Sequence, residues 1–285
     1  MSAPPESDVL QIENVPASAS SPSGGVVSVW TINRPDKLNA LNAEVNSALK
    51  SASSWAEADD SVRVIVITGA APNEPPEMLK HHKPNSFAAG ADISEFVGKS
   101  SEDVRPIFDD NPWDAIWDIT KPTIAMVDGF ALGGGVELAL SCDLRLATPR
   151  SKFGTPEIDL GLIPGGGGTQ RLCRLLGYGR AMEMVMGGNP AMIDGEEAHR
   201  IGLVNHLVDA NELLDKTMAI AQNLASKSPH TIRVAKAAVR AALEQPFSAG
   251  IQSERDLFCA LFDTADMEIG VKAFLDRDTA EWTGA

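Results

Sequence analysis

Apolar residues recur with two different spacings along the chain, and each spacing predicts a different kind of element. Residues 62–68, VRVIVIT, form a nearly continuous apolar run, as in a strand buried on both faces, and residues 26–32 and 123–127 are runs of similar character. Between residues 42 and 57 the apolar side chains recur three or four positions apart, which predicts a helix. The alternation of strand and helix continues to about residue 208 and predicts βαβ units.

The same pattern divides the chain into three parts. Residues 1–25 are rich in Ser, Pro and Ala and are expected to form a flexible N-terminal segment. Residues 26–208 are predicted to form the α/β core, and residues 209–285, helical in pattern as far as Trp282, a C-terminal helical region. Within the core we expect a strand at residues 144–147 and helices at residues 102–119, from the glycine cluster at 133–135 to Leu140, and at residues 169–176 and 181–186.

Composition narrows the classes of function. The formal net charge of −15 argues against a nucleic-acid surface, which needs clustered Lys and Arg. The three cysteines, Cys142, Cys173 and Cys259, are far apart and form no CxxC pair, as in a reducing compartment. No run approaches about 18 uninterrupted apolar residues, so we expect no membrane partner. The first ten residues contain no Lys or Arg, so we expect a cytoplasmic protein, and an organellar location stays open as the alternative.

Two glycine clusters first suggest phosphate binding, but neither has the required pattern. Gly133 and Gly135 lack the third glycine of a dinucleotide site, and no cluster is followed by Lys-Ser or Lys-Thr as in a P-loop. The first cluster follows a predicted strand and opens a helix, where unpaired backbone N–H groups can bind a carbonyl oxygen that gains negative charge. It is either such an oxyanion hole or a structural turn.

Two glutamates lie beside these glycine segments. Glu137 falls in the first turn of the predicted helix, where it is either a catalytic group or a carboxylate that stabilises the helix dipole. Glu157 follows Pro156 and precedes the apolar, glycine-rich run IDLGLIPGGGG. It is either a desolvated acid with a raised pKa or a salt-bridge partner.

Five motifs, in order and spacing, resemble those of the enoyl-CoA hydratase/isomerase, or crotonase, family. They are NRPDKLNAL at 33–41, FAAGADI at 87–93, KPTIAMVDGFALGGGVELALSCD at 121–143, FGTPEIDLGLIPGGGGTQRL at 153–172 and AMEMVMGG at 181–188. The resemblance covers about residues 25 to 285. It implies a crotonase-like spiral of βαβ units and a C-terminal helical region that packs homotrimers, commonly paired into hexamers. It also implies an acyl-CoA thioester substrate, with no metal and no cofactor besides the coenzyme A of the substrate.

The resemblance also implies which residues form the site. The family's two catalytic glutamates correspond to Glu137 and Glu157, and its two thioester-binding N–H groups to those of Ala91 and Gly134. Together they imply reversible hydration of a 2-enoyl-CoA, with Glu137 as base toward water and Glu157 as acid. The further contacts to coenzyme A and substrate are expected from Arg34, Lys37, Leu38, Ala89, Asp92, Ile93, Gly165 and Arg277.

Three other expectations concern residues around that site. Asp92 is expected to cap the following helix, and the pocket walls to include Phe96, Trp113, Trp117 and Phe258. The segment at residues 70–86 is longer than the family pattern and is either a surface insertion or a lid; its His81-His82 pair is expected to be solvated. The last predicted helix, AFLDRDTAEW, keeps only Arg277 where hydratases often have several basic residues.

Other functions stay open on the sequence alone. Double-bond isomerisation and dehydration of a specialised 3-hydroxyacyl-CoA are reactions of related enzymes, although the presence of both glutamates favours hydration. Some family members bind RNA, which the charge of −15 disfavours here.

Overall fold

The computed structural model describes residues 2–17, 24–72 and 84–285. The strands in these residues are β1 (Leu10–Pro16), β2 (Val26–Ile32), β3 (Val62–Gly69), β4 (Ser86–Ala88), β5 (Thr123–Val127), β6 (Phe130–Leu132), β7 (Leu144–Ala147), β8 (Lys152–Gly154), β9 (Ile193–Asp194) and β10 (His206–Leu207). The α-helices are α1 (Ala43–Ala58), α2 (Ser101–Asp109), α3 (Pro112–Trp117), α4 (Gly134–Ser141), α5 (Gly168–Leu176), α6 (Tyr178–Gly187), α7 (Gly195–Arg200), α8 (Leu213–Ala225), α9 (Pro229–Glu244), α10 (Phe247–Ala260) and α11 (Ala265–Asp276).

The strands form two sheets. The larger sheet has the order β1-β2-β3-β5-β7-β10 and the smaller one β4-β6-β8-β9. All neighbouring strands run parallel except β1 with β2 and β8 with β9. Since parallel neighbours require crossover connections, this topology confirms the α/β class and the βαβ units expected from the sequence.

Strand β3 shows why its sequence is apolar throughout. Ile65 and Ile67 belong to the main core between the sheets and the first helices, whereas Val64 and Val66 belong to a second cluster on the opposite face. Helix α8 contributes Leu213 and other side chains to that second cluster. Both faces of β3 are therefore buried, as the unbroken apolar run predicted.

The N-terminal expectation is wrong for residues 10–16. These residues form β1, which pairs antiparallel with the whole of β2, from Leu10 opposite Ile32 to Pro16 opposite Val26. The Leu10 side chain is buried in the main core. A short strand at a sheet edge is stabilised by its partner strand more than by its own composition, and the surrounding Ser and Pro residues hid it.

Two helix boundaries also differ from the predicted ones. The helix expected at 102–119 is two helices, because Asn111 caps a new one by accepting a hydrogen bond from the Asp114 N–H, and Pro112 occupies its first turn. The last helix ends at Asp276, and Arg277 adopts a left-handed conformation with φ of 57°. The chain then turns back, and the buried Asp266 carboxylate accepts the Thr283 N–H.

Among the described helices, none has the combination of length and apolar composition needed to cross a bilayer. Residues 73–83 of the segment at 70–86 lie outside the described residues, and so do the His81-His82 pair and the expectation of an insertion or a lid.

Candidate active site

A cleft of about 1230 Å³ brings together the four residues that the motifs singled out. Ala91, Gly134, Glu137 and Glu157 all line it. They come from the segment after β4, from the start of α4 and from the 3₁₀ turn Pro156–Leu160. Residues far apart in sequence therefore converge on one space, as the resemblance implied.

The turn before α4 requires glycine, because of its backbone conformation and because of the atoms that lie close to it. Gly133 has φ of 51° and ψ of −123°, a combination that side-chain-bearing residues avoid. A Cβ at Gly133 would also lie 2.8 Å from Oε1 of Glu157. The turn therefore lets Glu157 approach the start of α4, where the Gly134 N–H belongs to the first helical turn and has no intrahelical acceptor.

The N–H group of Ala91 lies near the N–H group of Gly134. Ala91 forms a parallel bridge with Leu41, but the bridging hydrogen bonds run from the Leu41 N–H to the Gly90 carbonyl and from the Asp92 N–H to the Leu41 carbonyl, both 2.8 Å. The Ala91 N–H takes no part in them. A Cβ at Gly134 would lie 3.5 Å from the Ala91 nitrogen, so the two N–H groups are neighbours. Two neighbouring N–H groups can donate together to one oxygen that gains negative charge.

Glu137 is a buried carboxylic acid. Its side chain is 2% exposed, and Oε1 accepts a hydrogen bond of 2.8 Å from the Gly168 N–H at the start of α5. Burial raises the pKa of Glu137 to about 7 against the opposing effect of the Gly168 N–H, and the charge of Glu157 adds to the rise. The group can therefore exchange a proton near neutral pH.

Glu157 lies on the 3₁₀ turn Pro156–Leu160 and lines the same cleft. Burial raises its pKa above the ordinary value for a glutamate. Its Oε2 atom is buried and has no hydrogen-bond partner among the described residues. A buried carboxyl oxygen without a protein partner can bind a reactant or a water molecule. The salt-bridge alternative for Glu157 finds no support in the structure, since none of the ion pairs between described residues includes it.

Aromatic residues of α2 and α3 form one wall of the cleft. The Trp113 indole N–H donates to the Gly134 carbonyl at 2.9 Å, which holds the start of α4. Phe108 stacks on Trp113 with 6.1 Å between ring centroids and packs against Gly165. Phe108 was not predicted from sequence, because it lies in a helix whose buried side is set only by its neighbours.

Two of the four expected wall residues are elsewhere. Phe96 and Trp113 line the cleft. Trp117 instead lies between the guanidinium groups of Arg171 and Arg240, 5.1 and 4.2 Å from its ring centroid. Phe258 is exposed on α10 and contacts Phe262. Neither reaches the cleft, so the prediction is wrong for these two residues.

The residues expected to contact coenzyme A also divide into two groups. The residues that line the cleft are Lys37, Ala89, Asp92, Ile93 and Gly165.

Arg34, Leu38 and Arg277 are not among the lining residues. Arg34 donates to the Ala40 carbonyl at 2.6 Å and pairs with Asp92 at 3.1 Å. Leu38 has φ of 52°, and its carbonyl accepts the Ala89 N–H. Both therefore support the segment that carries Ala91. Arg277 is exposed at the end of α11, and the fold of one chain does not bring it to this cleft.

Asp92 does not cap a helix as expected. It precedes a 3₁₀ turn, but its side chain makes no capping hydrogen bond there. It accepts from the Ser94 hydroxyl at 2.6 Å and pairs with Arg34, and these two contacts lower the pKa of Asp92. The carboxylate is engaged by a tertiary contact with a residue 58 positions away, which a local sequence pattern cannot show.

Comparisons of sequence and of structure with known proteins point to the same family. Residues 23–285 match the model of the family described as enoyl-CoA hydratase/isomerase. A probable enoyl-CoA hydratase of Mycobacterium bovis is 39% identical over 257 residues, covering 90% of this chain and 94% of that protein. A crotonyl-CoA hydratase of Syntrophomonas wolfei is 38% identical, again covering 90% of this chain and 94% of that protein. An enoyl-CoA hydratase structure from Geobacillus kaustophilus aligns with a TM-score of 0.85 and 35% identity, covering 97% of this chain and 98% of that one.

Proposed function

The chain belongs to the enoyl-CoA hydratase/isomerase family, and on that premise we propose that it catalyses the reversible hydration of 2-enoyl-CoA thioesters to 3-hydroxyacyl-CoA. One observation supports hydration as the reaction. Two carboxyl groups with raised pKa values, the buried Glu137 and the half-buried Glu157, line the same cleft as two neighbouring free N–H groups. Such an arrangement can stabilise an enolate and move two protons around it.

The oxyanion hole would act on the thioester oxygen. When water adds to the conjugated double bond, negative charge develops on that oxygen. The N–H groups of Ala91 and Gly134 would donate to it. The loss of one such donor typically costs about 3–4 kcal/mol in activation free energy.

The two glutamates would transfer the protons of the reaction. Ionised Glu137 would accept a proton from the water that attacks C3, and protonated Glu157 would deliver one to C2. The roles reverse in dehydration. The mutual repulsion of the carboxylates favours a state in which the pair shares one proton, because ionising both would place two negative charges in a poorly hydrated space.

The test is a crotonyl-CoA assay that follows loss of the conjugated absorbance. We expect the wild-type protein to hydrate crotonyl-CoA. Glu137→Gln and Glu157→Gln should each reduce kcat by about 10²–10⁴-fold, the usual contribution of a positioned acid or base. Neither change should weaken binding of the CoA ester much, because each replaces a carboxyl by an amide of similar shape.

Glu254→Gln is the matched control, since Glu254 is an exposed glutamate on α10. Near-normal turnover in either active-site variant would refute the proposed roles. A protein that shifts the double bond of a 3-enoyl-CoA but does not hydrate crotonyl-CoA would instead be an isomerase.

We further propose that the C-terminal helices mediate self-association into a homotrimer or a dimer of trimers. Phe247 on α10 is 86% exposed, and Phe274 and Leu275 on α11 are 82% and 73% exposed. Large apolar side chains that are this exposed favour a protein–protein interface. Association could also bring a basic residue such as Arg277 to a neighbouring subunit.

A further inference from the structure

The Arg171 side chain contacts the loop that donates a hydrogen bond to the Glu137 carboxylate. We propose that Arg171 is a positioning residue of the hydration reaction, because its guanidinium fixes the glycine loop whose N–H group holds Glu137. The inference rests on the proposed function and adds a residue that does not itself line the cleft.

The contacts run in series from Arg171 to Glu137. Nη1 of Arg171 donates to the Gly166 carbonyl at 2.7 Å. Two residues later, the Gly168 N–H donates to Oε1 of Glu137 at 2.8 Å. Between them Gly167 has φ of 98°, and a Cβ at that position would collide with the guanidinium. A displacement of the guanidinium would therefore move the donor that orients Glu137.

Two further side chains fix the position of the Arg171 guanidinium. Nη2 pairs with Asp114 at 3.3 Å, and the group lies over the Trp117 ring, 5.1 Å from its centroid. The Arg171 side chain is 14% exposed. A planar group with several fixed donors suits this position, because a lysine cannot reproduce the same fork of contacts.

Arg171 also acts on Glu137 by charge. The charged groups that influence Glu137 are Glu157, which raises its pKa, and Arg171, which lowers it; the N–H groups of Gly168 and Gly166 lower it as well. Asp114 and Arg240 in turn face Arg171 from α3 and α9. Removing the cation should therefore move the titration of the glutamate pair to higher pH.

The experiment compares Arg171→Gln, Arg171→Lys and the control Arg174→Gln. Arg174 lies one turn later on α5, is exposed, and contacts Leu243 and Gln170 instead of the loop. For each protein, kcat and KM for crotonyl-CoA are measured across the pH range, and folding is checked by thermal unfolding.

We expect Arg171→Gln to reduce kcat at neutral pH by about tenfold or more, since a misplacement of about 1 Å can cost about 10²-fold. KM should change little, and the pH profile should move to higher pH. Arg171→Lys keeps the charge, so its profile should stay near that of the wild type while kcat falls. Arg174→Gln should match the wild type.

Wild-type kcat and pH profile in Arg171→Gln would overturn the inference. So would equal losses in both Arg171 variants with no difference in pH profile, which would indicate a purely structural role. If Arg171→Gln does not fold, an unchanged kcat in Arg171→Lys overturns it.

The proposed function can fail separately. If the wild type does not hydrate enoyl-CoA esters, the carboxyl titration of Glu137 by ¹³C NMR, assigned with Glu137→Gln, still tests Arg171. An unchanged Glu137 titration in Arg171→Gln would then overturn the positioning role.

Discussion

At the scale of single residues, Glu137 shows how a fold changes the chemistry of a side chain. In water its carboxyl group ionises near pH 4.5, but in the protein burial raises its pKa to about 7. The backbone N–H of Gly168 offsets part of the cost of the charge without removing it. The group is therefore a usable base at neutral pH, and its ionised form is a source of instability in the folded protein.

This cost predicts a pH-dependent effect on stability. Since the pKa of Glu137 is higher in the folded chain, its contribution to the free energy of unfolding is present below pH 4.5 and is lost as the pH rises through about 7. Glu137→Gln keeps a neutral side chain at every pH. We expect it to raise the free energy of unfolding by up to about 3 kcal/mol at pH 8 and by only about 1 kcal/mol at pH 5.

Urea unfolding at the two pH values measures the effect, with Glu254→Gln as the exposed control. An equal change in stability at pH 5 and pH 8 would contradict the assignment, because a neutral packing effect does not follow the titration of a carboxyl group.

At the scale of elements, close approach of backbones positions the N–H groups of the proposed oxyanion hole. A Cβ at Gly135 would collide with the carbonyl oxygen of Ala88, the last residue of β4. Helix α4 can therefore lie directly against the strand that leads to Ala91. The separation of the Ala91 and Gly134 N–H groups depends on this contact between a helix and a strand from different parts of the chain.

Gly135→Ala is predicted to damage both stability and turnover. The added methyl group must push α4 from β4, which should cost about 1–3 kcal/mol of stability, as overpacking does in well-packed cores. The same shift separates the oxyanion donors, so kcat should fall by more than the loss of folded protein explains. Thermal unfolding and crotonyl-CoA turnover on the folded fraction measure the two effects.

Gly179→Ala is the matched control. Gly179 lies in α6, and a Cβ there would meet nothing within 4 Å. The substitution should therefore stabilise the protein by about 0.5–1 kcal/mol through helix propensity and leave turnover unchanged. Wild-type stability and turnover in Gly135→Ala would show that α4 can shift without disturbing the site.

At the scale of the whole molecule, the surface combines a net charge of −15 with exposed aromatic residues on the C-terminal helices. A high net charge keeps a monomer soluble but does not explain large exposed apolar side chains. Self-association would bury them, and it would place the C-terminal end of one chain beside another.

We predict that the wild-type protein has a mass in solution of three or six chains by light scattering. Phe274→Asp should shift this mass toward that of the single chain, because a carboxylate in an apolar interface is left without a partner. Ser54→Asp, which adds the same single charge at an exposed position on α1, is the control for charge. A wild-type protein with the mass of a single chain would refute the proposed assembly.

The sequence by itself determined the local elements and selected the residues proposed for the site. The apolar run of β3, the helical spacing of α1 and the glycine turn before α4 follow from neighbouring residues in the chain. The motifs also selected Glu137 and Glu157, because their order and spacing match those of a known family. This match identifies corresponding residues without any knowledge of the geometry.

Only the tertiary structure decided contacts between distant residues. The Gly168 N–H reaches Glu137 from 31 residues away, and Arg34 pairs with Asp92 instead of lining the cleft. Strand β1 likewise depends on its pairing with β2. Burial, pKa and hydrogen-bond partners are properties of the space around a side chain, and the packing of separate segments creates that space.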